Sequence, residues 1–327
     1  MPQAVDRLTT VSAAATISRL GVPVIRPVSP KWTHLCLAGV IAWACDDATR
    51  CDLRHTDVMT QDAVNEAVSQ VGQMQATPLT GFRPPVALTV RENFSAIRSI
   101  PRLIPRLVSR SEIDRNRVPV LLVPGFMSGD FALTALNDAL RDAGHWTSRS
   151  GIAPNIGCTL DMVAVVEQRV EWIAERTGRR VAIVGWSRGG TLGKIVAVRR
   201  PDLVESLITL GTPNTDPLAV NETLAAQLQL LTRLSAWGLP GILGEDCLHG
   251  SCASQVRELL DSEIPAHIRY VSMFSVDDGV IDWRACLDPA AEHVEVQATH
   301  MAMGAEPSVI AAVRELLSDI TPVDVAV

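Results

Sequence analysis

The chain has 327 residues, 36 acidic against 29 basic, with a formal charge of −7 at pH 7 and 47% hydrophobic side chains. That length and apolar content suffice for a sizeable core in one large or two ordinary domains. The acidic balance gives no overall attraction to phosphate backbones, which argues against nucleic acid as a partner and for a small, uncharged or apolar substrate.

The N-terminal MPQAVDRLTT lacks the basic start and apolar run of an export signal. The first long apolar run, Leu35 to Cys45, is about half the roughly 20 residues that span a bilayer, so it reads as a buried helix and no integral membrane span is expected. Seven cysteines, an odd number and mostly scattered, suit a reducing compartment, and a cytoplasmic location is expected. Residues 1–115 read as a helical N-terminal extension, with helical segments at Val11 to Leu20, Trp32 to Cys45 and Met59 to Met74 between Pro-rich stretches, and no strand alternation. Arg98, Arg102, Arg106 and Arg110 recur every four residues among Ile97, Ile100, Leu103, Ile104 and Leu107. Pro101 and Pro105 break a continuous helix there, so a solvated connector is expected rather than a membrane-surface helix.

From Val118 the pattern changes to short apolar runs alternating with helical ones. VPVLLV precedes the helical FALTALNDALRDAG, and HWTS precedes a helix from Leu160 to Arg176. VAIVGW is followed by a helix from Gly189 to Arg200, then by SLITLG, IRYVSMFS and HVEVQA, and a closing helix lies near Pro307 to Ser318. Apolar strands alternating with helices predict an α/β fold whose mostly parallel sheet is covered by helices on both faces, over residues 116–327. Between SLITLG and IRYVSMFS lie about fifty residues, Asn214 to Ala266, far more than the roughly 2–6 of a simple connection, which predicts an inserted helical cap at about 214–266. Its main helix, Leu218 to Trp237, carries Leu224, Leu228, Leu231 and Leu234 at helical spacing. That stripe is core, substrate-facing surface, or both.

VAIVGWSRGG runs an apolar strand into Gly185, Trp186, Ser187, Arg188 and Gly189, a GxSxG pattern followed at once by a helix. A strand that reverses sharply into a helix leaves its Ser in a strained conformation with the oxygen exposed, beside the positive end of that helix. Ser187 is therefore the candidate nucleophile. Upstream, VPVLLVPGFMSGD ends a strand at Pro124 and Gly125, so the backbone N–H of Phe126 joins that of Arg188 as a candidate oxyanion donor. Met127 and Trp186 are candidate pocket residues beside them.

A Ser hydroxyl needs a base at neutral pH. Of seven histidines, His300 alone follows the last strand and precedes the closing helix, the position this architecture gives its base in the order Ser, Asp, His. His34 and His55 precede the core, His145 falls in a strand, His249 in the cap, and His267 and His293 at the starting ends of strands. The carboxylate that orients the base belongs on the tight turn after IRYVSMFS, where FSVDDGVIDW offers Asp278, with Asp277 in reserve. Asp282 reads as a turn or helix cap and Asp216 as a weaker candidate. Leu224, Leu228 and Met301 complete the expected pocket. Asn155 reads as a turn residue and Thr159 as a helix cap. Cys247 and Cys252 in DCLHGSC are close enough for a small disulfide loop or remain free thiols. With His249 they give only three of the four ligands zinc normally takes, so no metal is expected.

With these pieces placed, the chain resembles the α/β-hydrolase superfamily, and within it the bacterial esterase/lipase, triacylglycerol-lipase-like family. The resemblance covers about two thirds of the chain and rests on VPVLLVPGF, NIG at Asn155 to Gly157, VGWSRGG, LITLGTP at Leu207 to Pro213, FSVDDGVIDWRACLDP and VEVQATHMAM. It implies that the Asp before the Gly of the DG pair, Asp278, is the triad acid, and that the oxyanion N–H groups are those of Phe126 and Arg188. Trp186 and Arg188 stand where secreted relatives carry His and Gln. The expected function is a serine hydrolase of carboxylic esters acting through an acyl-enzyme on Ser187, without a cofactor. An acyltransferase or thioesterase with the same triad, and a non-catalytic binding protein on the same fold, are the alternatives.

Overall fold

In the computed structural model the described residues are 81–99 and 112–325. The expected helices before residue 75 and the side chains of the Arg98 to Arg110 stretch lie outside them. Helix α1, Val86–Ser99, follows Pro84 and Pro85, consistent with proline being tolerated at a helix start.

The core begins at β1 (Val120–Val123) and continues through a short 3-10 turn into α2 (Thr134–Asp142), then β2 (Thr147–Arg149) and α3 (Thr159–Thr177). β3 (Val181–Trp186), α4 (Arg188–Arg199) and β4 (Val204–Leu210) follow, then α5 (Glu222–Ala236), α6 (Asp246–His249) and α7 (Ser251–Leu260). β5 (Arg269–Phe274), β6 (Glu292–Glu295) and α8 (Pro307–Ser318) close the chain. The six strands form one sheet in the order β2-β1-β3-β4-β5-β6, and every neighbouring pair is parallel.

Strict side-chain alternation explains why the strands read as unbroken apolar runs. Leu121, Val123, Val181 and Ile183 pack on one face with α3, α4 and α7, through Val166, Val170, Leu192, Ile195 and Val256. Val120, Leu122, Ala182, Val184 and Trp186 pack on the other with α2 and α8, through Leu136, Leu140, Val309 and Val313. Lys194 of α4 is buried against Asp288 at 2.5 Å, and Tyr270 donates to the same carboxylate oxygen at 3.1 Å.

The insertion divides in two. α5, capped by the Asn221 side chain accepting from Leu224 N, packs with Leu228, Leu224 and Leu231 against Val220, Leu243, Phe274 and Ile281. α7 instead joins the core layer beside α3 and α4, so the cap proper is α5 and α6. His145 lies just before β2 rather than in it, buried with its Nδ1 3.0 Å from the Val118 carbonyl oxygen. Among the described residues no helix is long and apolar enough to cross a membrane.

Candidate active site

β3 is buried along its whole length and ends at Trp186, and α4 begins at Arg188, leaving Ser187 alone in the turn. Its backbone is held at φ 53°, ψ −127°. Met127, in the loop after β1, is the other non-glycine residue at positive φ among those described, at 56°. Such conformations cost on the order of 1–3 kcal/mol each and persist only where surroundings over-determine them. Here Ser187 N donates to Leu210 O at 2.8 Å, and Ser187 O accepts from Gly190 N and Thr212 Oγ1, each at 2.9 Å. The turn also needs Gly185, where a Cβ would sit 2.5 Å from Gly189 O and Gly190 N.

The loop after β1 reaches the same place. A Cβ on Gly125 would lie 3.2 Å from the Ser187 Cβ. The Phe126 N–H has no acceptor among the described residues, and the Arg188 N–H opens α4, where N–H groups lack an intrahelical partner. Asn155, expected as a simple turn residue, is fully buried and braces this loop. Its Nδ2 donates to Pro124 O at 2.9 Å, while its backbone carbonyl accepts from Met127 N at 3.1 Å and Arg188 Nη1 at 3.2 Å. Arg188 Nη2 donates to Gly157 O at 2.7 Å and Thr159 Oγ1 at 3.1 Å. Thr159 is thus not the cap: Cys158 takes that position without a side-chain bond, and Thr159 is the first helical residue. Desolvation lowers the Arg188 guanidinium to about 10, against the opposing influence of Cys247, Cys158 and Cys252.

His300 follows β6 in a short 3-10 turn and is buried, with Nδ1 2.7 Å from Asp278 Oδ2. The other carboxylate oxygen, Oδ1, accepts from Val280 N at 2.8 Å and Ile281 N at 2.7 Å, which aims Oδ2 at the imidazole. Donation of Nδ1–H to a carboxylate leaves the lone pair of the neutral ring on Nε2. Burial lowers the His300 pKa, but the charge and hydrogen bond of Asp278 and the charge of Glu92 outweigh it, and the net shift is upward. Trp186 Nε1 donates to His300 O at 3.1 Å. The competing carboxylates are engaged elsewhere: Asp277 pairs with Arg91 at 2.9 Å, Asp282 caps the turn Trp283–Cys286, and Asp216 accepts from Leu218 N at 3.1 Å.

Two cavities meet at Ser187. A cleft of about 390 Å³ is lined by Phe126, Met127, Trp186, Ser187, His300 and Met301, with Leu224 at its edge. No hydrogen bond between described residues joins the Ser187 hydroxyl to the imidazole across it, as is common before substrate binds. A smaller, mainly apolar pocket of about 110 Å³ lies on the cap side, where Leu224, Leu228, Leu243 and Ile281 face Ser187 and Arg188. Every residue expected in the pocket lines one cavity or the other.

No family model matches the sequence, and no curated protein matches it. The solved structures do. The chain superposes on mature Bacillus licheniformis lipase BlEst2 with a TM-score of 0.51 at 16% identity, covering 64% of this chain and 96% of that one. The propeptide form of the same lipase gives 0.50 at 16% identity, over 67% of this chain and 54% of that one. Mouse alpha/beta hydrolase domain-containing protein 10 aligns at 0.42 with 20% identity, over 65% and 98%. The chain has the α/β-hydrolase fold. At these identities the likeness is one of architecture, and it agrees with the parallel sheet and its helical cover.

One buried side chain at this edge of the α/β-hydrolase fold comes from outside the core and was not foreseen. Glu92 of α1 is 6% exposed. Its Oε1 accepts from Gly279 N at 2.9 Å and His300 N at 2.7 Å, and its Oε2 from Met301 N at 3.0 Å. A single carboxylate therefore ties the turn of Asp278 to the turn of His300, and Ser95, one helical turn on, bonds Thr299. The signal in the sequence was a carboxylate and a hydroxyl continuing the inward stripe of Leu88, at i+4 and i+7.

Cys247 and Cys252 are free thiols, and Cys158 joins them: the three Sγ atoms all lie within 4.8 Å of one another. His249 points elsewhere, exposed and 3.8 Å from Glu245.

Proposed function

We propose that this chain is a serine hydrolase of carboxylic esters, with Ser187 as nucleophile, His300 as general base and Asp278 orienting the imidazole. The observation that carries the reading is the buried Asp278–His300 pair at 2.7 Å, facing the same cleft as a Ser held at positive φ on a GxSxG turn. Ser187 Oγ attacks the ester carbonyl as its proton passes to His300 Nε2. The oxyanion is received by the N–H groups of Phe126 and Arg188. Collapse of the tetrahedral adduct expels the alcohol, which takes the proton from the imidazolium. Water, deprotonated by the same imidazole, then attacks the acyl-enzyme, and a second collapse releases the acid and restores Ser187. The apolar pocket under Leu224 and Leu228 suits the acyl chain, and the cleft beside Met127, Trp186 and Met301 suits the alcohol.

The test is hydrolysis of short and medium p-nitrophenyl esters together with fluorophosphonate labelling mapped by mass spectrometry. Turnover that disappears in Ser187→Ala, with the adduct on Ser187, is expected. Equal rates for the two proteins, or an adduct on another residue, would overturn the reading.

A further inference from the structure

The reaction above uses none of the three thiols that converge beside the apolar pocket. Cys158 immediately precedes α3, Cys247 lies in α6 and Cys252 in the first turn of α7. Cys158 Sγ and Cys252 Sγ are 3.6 Å apart. Sulfurs bound at about 2.3 Å to a tetrahedral ion stand about 3.8 Å from each other, so the Cys158–Cys252 spacing already suits a coordination shell, and the remaining pairs, within 4.8 Å, need to close by about 1 Å at most.

Burial raises the Cys247 and Cys252 thiol pKa values, so a cation must displace their protons to bind, and features of the surroundings offset part of that cost. Backbone N–H groups at Gly244, Thr159 and Leu160 act against that rise. Thr159 and Leu160 open the 19-residue α3, whose positive end therefore faces the cluster. The Arg188 guanidinium, whose hydrogen bonds go only to the neutral oxygens of Asn155, Gly157 and Thr159, lines the same pocket as Cys247. Three thiolates, one divalent cation and this guanidinium sum to zero charge, which removes the main cost of burying either the thiolates or the arginine alone. Soft sulfur ligands without carboxylate select ions of the zinc class over magnesium or calcium.

We propose that Cys158, Cys247 and Cys252 form a binding site for one zinc-class divalent cation, three-coordinate through protein with a fourth position open to solvent or a small ligand. Such an ion ties α6 and α7 of the insertion to the start of α3. Cys247 also lines the apolar pocket at Ser187, so occupancy fixes one wall of that pocket. The binding site stands independently of the hydrolase reading; only this last consequence rests on it.

The experiment uses the full chain, reduced with a phosphine, stripped of metal and titrated with Co²⁺ and then Zn²⁺. One Co²⁺ per chain with an intense sulfur-to-metal charge-transfer band, displaced by one Zn²⁺, is expected. Cys158→Ser, Cys247→Ser and Cys252→Ser should each weaken binding by more than the roughly 10–100-fold that losing an outer-shell partner costs. A variant with Cys36, Cys45 and Cys51 all changed to Ser should bind unchanged. Because a substituted thiol can unsettle the fold, the unaltered protein is also alkylated with and without Zn²⁺, and protection should map to the peptides of Cys158, Cys247 and Cys252. No charge-transfer band in the reduced protein, a band undiminished in the folded Cys158 and Cys252 variants, or protection that falls on other cysteines overturns the site. So does a protein that binds no metal and only forms a Cys158–Cys252 disulfide on exposure to peroxide.

Discussion

Removal of the Glu92 carboxylate tests whether a residue outside the α/β-hydrolase core positions the reacting groups. In Glu92→Gln the amide oxygen can keep the two donors of Oε1, Gly279 N and His300 N, but its NH₂ then faces the N–H of Met301. Leaving one buried donor without a partner costs about 1–3 kcal/mol. In Glu92→Ala all three donors are released. Glu92 borders the cleft, so water can reach part of the gap, and the loss is set at about 2–5 kcal/mol rather than three full penalties. Both turns then drift independently, and a displacement of about 1 Å between reacting groups costs roughly 10²-fold in rate. We expect kcat/KM of Glu92→Ala to fall about 100-fold, and that of Glu92→Gln by less than 10-fold. The pH profile separates positioning from mere stabilisation. The Glu92 charge is one of the influences that hold the His300 pKa above its ordinary value. A general base must be neutral, so activity is lost as pH falls through that pKa. Removing the charge lowers it, and the acid limb of kcat/KM should move to lower pH in both variants. The assay is p-nitrophenyl ester hydrolysis across pH, with a thermal melt to show that each variant is folded. A folded Glu92→Ala protein with wild-type kcat/KM and an unmoved acid limb refutes the reasoning.

Asp278→Asn keeps the shape of the turn but no longer fixes Nδ1–H, and kcat should drop by about 10⁴ in the same assay with little change in melting temperature. Leu228→Trp fills the roughly 110 Å³ pocket beside Ser187; kcat/KM for octanoate esters should fall by more than 10-fold relative to acetate, and an unchanged ratio would place the acyl chain elsewhere. Lys194→Met strands the buried Asp288 carboxylate and should cost about 3–5 kcal/mol in denaturant unfolding, while Lys194→Met with Asp288→Leu should recover most of that loss.

What was legible in the sequence is what is local. β3 and β4 could be read because a doubly covered parallel strand must be apolar on both faces, so VAIVGW and SLITLG announce themselves. Ser187 could be read because a strand-turn-helix reversal demands small residues at fixed offsets. His300 and Asp278 needed topology as well, since which strand ends come together follows from the sheet order. Glu92 was hidden because its three partners are backbone N–H groups some 190–210 positions away, and no side-chain pattern records them. The thiol cluster was half visible: the spacing of Cys247 and Cys252 is short, whereas Cys158 arrives only because α3 starts beside the insertion. Asn155 has the residue type of a turn, but burial makes its amide the brace of a neighbouring loop.

The same geometry explains why the site needs so much support. Phe126, Ser187, Asp278 and His300 all follow the carboxyl ends of parallel strands, where chain after chain must leave the sheet and the backbone has no ladder partner. Two of those exits are at positive φ, at Met127 and Ser187, and neither residue is glycine. Each exit is therefore pinned by a polar group from a different element: Asn155 holds the loop after β1, Thr212 the turn after β3, and Glu92 the turns after β5 and β6. Because the pins are single side chains and the strain is shared, the loss of any one should shift reacting atoms before it unfolds the protein. On the proposed mechanism α1 positions the reacting turns, although it precedes β1 by some twenty residues.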